Sequence, residues 1–188
     1  MASEKFDFSL AIGGAAGQGI AAPGDVLAWI FVQRGLHIYT YNAYQSIIRG
    51  GHIFLTVRTS TEKPHSHGDK LDLLICLNQD TMDRHIKHMG KGTTVIYNSD
   101  TIKPGKIQNG LQLCGMPVSE LSNNSRNKLV QNTAALGVSM YLLGLDFEIL
   151  EEILKKQFAR KGQAVVDENI NIARASYDYA VTNFKSRP

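Results

Sequence analysis

Two stretches of the 188-residue chain combine residue types suited to holding an anionic ligand. The first, IGGAAGQGI at residues 12–20, follows the first apolar segment and carries Gly14, Gly17, Gln18 and Gly19. Glycines at the end of a strand let the backbone turn tightly and approach a ligand without a Cβ in the way. The N-terminus of the helix that follows adds partial positive charge, so the pair suits a phosphate. Glycine serves there for space and not for reactivity. The second stretch, YQSIIRGGHIFLTVR at residues 44–58, places Arg49 before Gly50, Gly51 and His52. Arg49 has the fork geometry for phosphate or carboxylate, or else forms a surface ion pair. His52 reads first as a half-buried imidazole at a strand start.

The spacing limits the chemistry. The order Gly14-x-x-Gly17-x-Gly19 is not the Gly-x-Gly-x-x-Gly of dinucleotide enzymes, which also need an acidic residue at the end of the second strand. That position falls in IYTYNA, which has no carboxylate. No Lys-Ser/Thr pair follows the loop, so it is not a Walker A loop. What remains is an anion site or a purely structural turn. His65 and His67, in PHSHGD, lack the further ligands of a metal site and read as a solvated loop. His85 and His88 sit three apart without the glutamate of a zinc protease, and read as polar positions on an exposed helix face. Asn132 either ties loops together or touches a ligand. Lys155, Lys156, Arg160 and Lys161 form a basic helix end that suits the helix dipole, with a partner contact as the alternative.

These residues need elements to place them. Residues 7–14 alternate and then run apolar into glycine, as a first strand should. Residues 20–35 carry apolar positions at helical spacing and end on Gly35. Residues 36–43 and 52–60 read as strands, rich in β-branched and aromatic types. KLDLLICLN (70–78) and TTVIYNSD (93–100) are apolar runs of the kind that fill a sheet covered on both faces. GLQLCGMPV (110–118) is a further strand, and residues 79–92 hold a short helix. From Ser125 onward three helices are expected, over about 126–144, 146–162 and 167–184, with Asp146 a good N-cap for the second. The expectation is one domain, residues 1–188, of α/β class: a three-layer α/β/α arrangement with a largely parallel sheet and a helical C-terminal third. Whether the Arg49 loop reaches the same sheet edge as the glycine loop depends on the direction of the third strand, which pattern alone does not encode.

Bulk properties agree with a globular chain. Hydrophobic residues make up 43% and charged residues 20%, and the net charge of +3 is too small to argue for nucleic acid. Cys76 and Cys114 are unpaired in any metal spacing, and Cys76 reads as a reduced core thiol, which fits a reducing compartment. No run approaches the roughly 18 apolar residues of a membrane helix. The N-terminus lacks a basic region followed by an apolar one. A cytoplasmic location is expected.

Taken together, GGAAGQGI, SIIRGGH, DLLICLN, TTVIYNSD, LVQNTAALGVSMYLLGLDFEILEEILKKQFARKG and ENINIA, in that order over nearly the whole chain, resemble the gamma subunit of 2-oxoacid:ferredoxin (acceptor) oxidoreductases, or the gamma domain fused to the front of some alpha subunits. The form SIIRGGH is most similar to the 2-oxoglutarate branch. The resemblance implies oxidative decarboxylation of a 2-oxoacid to an acyl-CoA, with electrons passing through iron–sulfur clusters to ferredoxin. It implies alpha and beta partners, in some cases delta, that hold thiamine diphosphate, magnesium and the clusters. It further implies that Gly14, Gly17, Gln18 and Gly19, with Arg49, Gly50, Gly51 and His52, help bind coenzyme A. In keeping with a subunit role, the chain has neither a Cys-x-x-Cys ladder nor a thiamine-diphosphate motif, and no complete active site of its own. The alternative is a free-standing nucleotide-binding or NAD-dependent oxidoreductase.

Overall fold

A computed structural model describes residues 5–45, 50–107 and 110–186. Among the described residues, six strands form one sheet: β1 (Asp7–Ala15), β2 (His37–Tyr44), β3 (His52–Ser60), β4 (Leu73–Cys76), β5 (Thr94–Asn98) and β6 (Gln112–Met116). Their order is β2-β3-β1-β4-β5-β6. β1, β4, β5 and β6 pair in parallel, whereas β3 runs antiparallel to both β1 and β2. The sheet is therefore largely parallel, with one reversed strand. That reversal decides the site. It sets His52, the first residue of β3, opposite Ala15, the last of β1.

The central strands read as apolar because both of their faces are covered. Leu10, Ile12, Leu73, Ile75 and Ile96 point one way into the larger core, and Ala11, Leu74, Cys76 and Val95 point the other way into a smaller one. The larger core is closed by α1 (Ala21–Gln33) and α4 (Val130–Leu142), with α5 (Phe147–Phe158) and α6 (Gln163–Asn183) packed on α4. The opposite layer is thin: α2 (Gln79–His85), continued as a 3-10 turn over Ile86–His88, supplies Met82 and Ile86. A short α3 (Val118–Leu121), absent from the sequence reading, follows β6. α6 starts earlier than its apolar pattern indicates, directly after Gly162. Asp146 does occupy the N-cap of α5, but its side chain makes no capping bond. Met140 and Leu142 are core residues. Among the described residues, no helix is long and apolar enough to cross a membrane.

The helical third is packed closely enough to be sensitive to one methyl group. A Cβ on Gly137, in α4, would run into the Ala173 carbonyl of α6 and crowd Ser176. Backbone cannot step aside as a flexible side chain can. Gly137→Ala is expected to lower stability by about 1–3 kcal/mol, the usual range for overpacking, as read by urea unfolding. The two cysteines are buried and free. Burial pushes the Cys76 thiol far above its ordinary range and that of Cys114 up to about 11, so neither is a nucleophile at neutral pH.

Candidate functional site at the carboxyl edge of the sheet

The strands β1, β4, β5 and β6 end at one edge, and the end of β2 and the start of β3 lie at that edge too because β3 is reversed. From β1 the chain moves outward to β2 and β3, then crosses to β4 on the other side of β1. Edges at such switch points leave a crevice between diverging loops. Here that crevice is a cleft of about 530 Å³ lined by Gln18, Leu77, Asn78, Asn98, Ser119 and Lys128, among others. Among the described residues, none that lines it is acidic.

The glycine loop is built to hold a shape. Gln18 Oε1 accepts from the Ala15 amide at 2.6 Å, and its Nε2 donates to the Leu77 carbonyl at 3.3 Å. The Gln18 side chain thus spends its amide on the loop itself and on the strand beside it. Gly14 lies under that side chain, where a Cβ would fall 2.7 Å from Gln18 Oε1 and 3.2 Å from Leu77 Cβ. Gly17 and Gly19 have φ of +91° and +70°. A Cβ on Gly17 would meet nothing within 4 Å, so at Gly17 it is the backbone conformation, not space, that calls for glycine. Asn132 ties the loop to α4: its Nδ2 donates to the Gln18 carbonyl at 2.8 Å and the Gly19 carbonyl at 3.3 Å. Among the described residues, no hydrogen bond engages the amides of Gly17 and Gly19. The N-terminus of α1 beside them has no side-chain cap and no acidic residue in its first turn. Such a terminus favours an anion.

The two motifs meet directly. The Ala16 amide donates to the Gly51 carbonyl at 3.0 Å, across thirty-five residues of sequence. Gly50 takes φ of +66° in open space. Arg49 lies outside the described residues. His52 is half-buried, as its position at a strand start suggests. Its Nε2 faces the Nε2 of His85 at 2.9 Å, so one ring donates to the other, and its Nδ1 lies 3.6 Å from Asp80 Oδ2.

His85 corrects the sequence reading, which put it on an exposed helix face. It is half-buried, stacks on Phe54 at 4.0 Å between ring centroids, and clasps His52. Asn78 caps α2 by accepting from the Thr81 amide at 2.9 Å, which fixes the helix carrying Asp80 and His85. Burial holds His52 below the ordinary histidine range, against the pull of Asp80. Burial, with the charges of His52, His88 and Arg84 adding to it and Asp80 opposing, brings His85 down to about 4. The unfolded chain takes up a proton at His85 near 6.5, while the folded chain resists until about 4. Stability is therefore fully present above pH 6.5 and declines as pH falls toward 4. His85→Phe, which keeps the stacking on Phe54 and removes the titration, is expected to flatten that decline in unfolding titrations at successive pH values.

Other motif residues stay away from the edge. His67 stacks on Tyr41 at 4.8 Å, and His65 is exposed. Lys155 pairs with Glu151 one helical turn away, and Lys161 lies over the Phe158 ring. The strand next to β1 is β3 and not β2, so the second-strand carboxylate of a dinucleotide enzyme has no counterpart in this topology.

The family profile described as pyruvate ferredoxin/flavodoxin oxidoreductase matches residues 9–179. The chain belongs to that family. Among relatives, it is 24% identical to subunit alpha of 2-oxoacid:ferredoxin oxidoreductase 2 from Aeropyrum pernix over 92% of this chain and 34% of that one. It is 25% identical to the 2-oxoglutarate synthase subunit KorC of Archaeoglobus fulgidus, over 92% and 87% of the two chains. Among solved structures, it is similar to the 2-oxoglutarate:ferredoxin oxidoreductase of Magnetococcus marinus, determined with 2-oxoglutarate, coenzyme A and succinyl-CoA bound. The TM-score is 0.87 at 26% identity, covering 97% of this chain and 32% of that one. The chain thus spans about a third of the longer relatives and most of KorC. Similar proteins thus include both a separate subunit of about this length and a part of a larger one.

Proposed function

We propose that residues 1–188 form a single gamma-type component of a cytoplasmic 2-oxoacid:ferredoxin oxidoreductase acting on 2-oxoglutarate, and that this component helps hold coenzyme A. The observation that carries the reading is the Ala16–Gly51 hydrogen bond, which ties the glycine loop, whose Gln18 lines the cleft, to the Gly50–His52 segment of the second motif. The open amides of Gly17 and Gly19, an uncapped helix terminus and a cleft with no carboxylate among its described lining residues make a surface that favours phosphate. The backbone around Gly17 and Gly19 receives the anion, Gln18 and Asn132 keep the loop in shape, and Arg49 supplies the fork for a phosphate oxygen. His52 holds the turn through His85. Alpha and beta subunits, with delta where present, supply thiamine diphosphate, magnesium and the iron–sulfur clusters, and ferredoxin takes the electrons. The preference for 2-oxoglutarate rests on the likeness to KorC and to the Magnetococcus enzyme.

Anaerobic purification of the tagged chain from its native source tests this. Thiamine- and cluster-bearing subunits are expected to come with it, and acceptor reduction is expected to require both coenzyme A and a 2-oxoacid, with 2-oxoglutarate the best of a panel. A chain that emerges alone and binds NAD contradicts the reading.

A further inference from the structure

The two edges of the sheet are treated differently. At β6 the chain's own C-terminal segment approaches, with Gln112 Nε2 donating to the Lys185 carbonyl at 2.9 Å. At the other edge, among the described residues, β2 pairs with β3 alone. Gln45 donates to the His52 carbonyl, so the hydrogen-bonded positions of the ladder are the odd residues of β2. The amides and carbonyls of Ile38, Thr40, Asn42 and Tyr44 therefore face outward, and none of them has a hydrogen-bond partner among the described residues.

An exposed edge is normally defended by lysine, proline, a bulge or brevity. β2, HIYTYNAY, runs eight residues in unbroken register and has no Lys, Pro, Gly, Asp or Glu. Tyr41 and Tyr44 on it are 47% and 68% exposed. We infer that β2 pairs antiparallel with β2 of a second copy of this chain, continuing the sheet across a two-fold axis. The strand is self-complementary in one register. With Tyr41 opposite its own copy, Ile38 meets Tyr44, Thr40 meets Asn42 and Tyr39 meets Ala43, and every outward amide and carbonyl from Ile38 to Tyr44 is paired. No like charges oppose each other, because the paired segment carries none. Cross-strand aromatic and β-branched pairs are the stabilising ones in such ladders.

Strand pairing alone buries less than a stable dimer needs, about 1,200 Å² in total. α1, which covers β2 and β3 on the Ile38 face, supplies more: its Trp29 and Val32 are 47% and 44% exposed. On the other face, each Tyr41 ring is backed by His67.

Sedimentation equilibrium of the purified chain is the test. The wild type is expected to be a dimer at micromolar concentration. Asn42→Pro removes an outward donor from each copy and leaves the β2–β3 bonds in place, since proline is tolerated where the amide faces away from the ladder. It is expected to raise the dimer dissociation constant about tenfold, the loss of a net hydrogen bond in each copy. Tyr41→Lys sets two like charges across the axis and is expected to give a monomer with unchanged circular dichroism. Hydrogen exchange at Ile38, Thr40, Asn42 and Tyr44 is expected to slow with chain concentration. A wild type that stays monomeric, variants that dimerise as tightly as the wild type, or protection that appears only on adding another subunit each overturns the proposal.

Discussion

Gly17→Val is expected to raise the coenzyme A concentration needed for half-maximal activity of the assembled complex by about tenfold, with assembly and the maximal rate little changed. Gly17 has φ of +91°, a conformation that costs an L-residue about 1–2 kcal/mol and a β-branched one more. A Cβ there meets no neighbour, so the fold outside the loop has no reason to suffer. The strain is relieved by moving the loop, which shifts the Gly17 and Gly19 amides away from their receiving geometry. A tenfold change corresponds to about 1.4 kcal/mol, which matches the strain. Gly17→Ala is expected to show a smaller effect of the same kind. Steady-state titration with coenzyme A at saturating 2-oxoacid separates the two, and a lowered maximal rate with unchanged coenzyme A dependence contradicts the role given to this loop.

Asn132→Leu is expected to cost both stability and ligand affinity. Its amide is the donor to the carbonyls of Gln18 and Gly19, 114 and 113 residues away in sequence. Leucine removes that donor; the Gly19 carbonyl keeps the Ala22 amide, while the Gln18 carbonyl is left dry at about 1–3 kcal/mol. The expected loss of folding stability is about 2 kcal/mol by denaturant titration. With the loop freed from α4, coenzyme A dependence is expected to weaken about tenfold in the complex. Asn132→Asp keeps the shape, but turns an acceptor toward two carbonyls. It is expected to be no better than leucine.

The layers and the order of elements were readable because burial on both faces leaves a plain mark: LDLLICLN and TTVIYN admit little besides buried strands. The glycine loop was readable because its position after β1 and before a helix constrains what it can be. Strand direction was not. A period-two pattern in HIFLTVR is the same forwards and backwards, yet the direction of β3 alone brings Gly51 to Ala16. His85 escaped for a related reason: its partner is His52, 33 residues away, and helical spacing speaks only of neighbours on the same helix. A histidine at each end of such a contact, with Phe54 between them in sequence and stacked on one ring, was the signal available, and it has meaning only once β3 and α2 are known to be adjacent. Gln18 shows the opposite case. Its amide invites a ligand contact on paper, and the fold spends it on Ala15 and Leu77.

The most direct test of the central claim is where coenzyme A touches the assembled enzyme. A photoreactive coenzyme A analogue, irradiated with the anaerobically purified complex and mapped by peptide mass spectrometry, is expected to label this chain in the peptides carrying residues 14–19 and 49–52, with label displaced by coenzyme A itself. Label confined to the partner subunits, with these peptides untouched, would show that the glycine loop and the RGGH turn serve the fold and not the ligand.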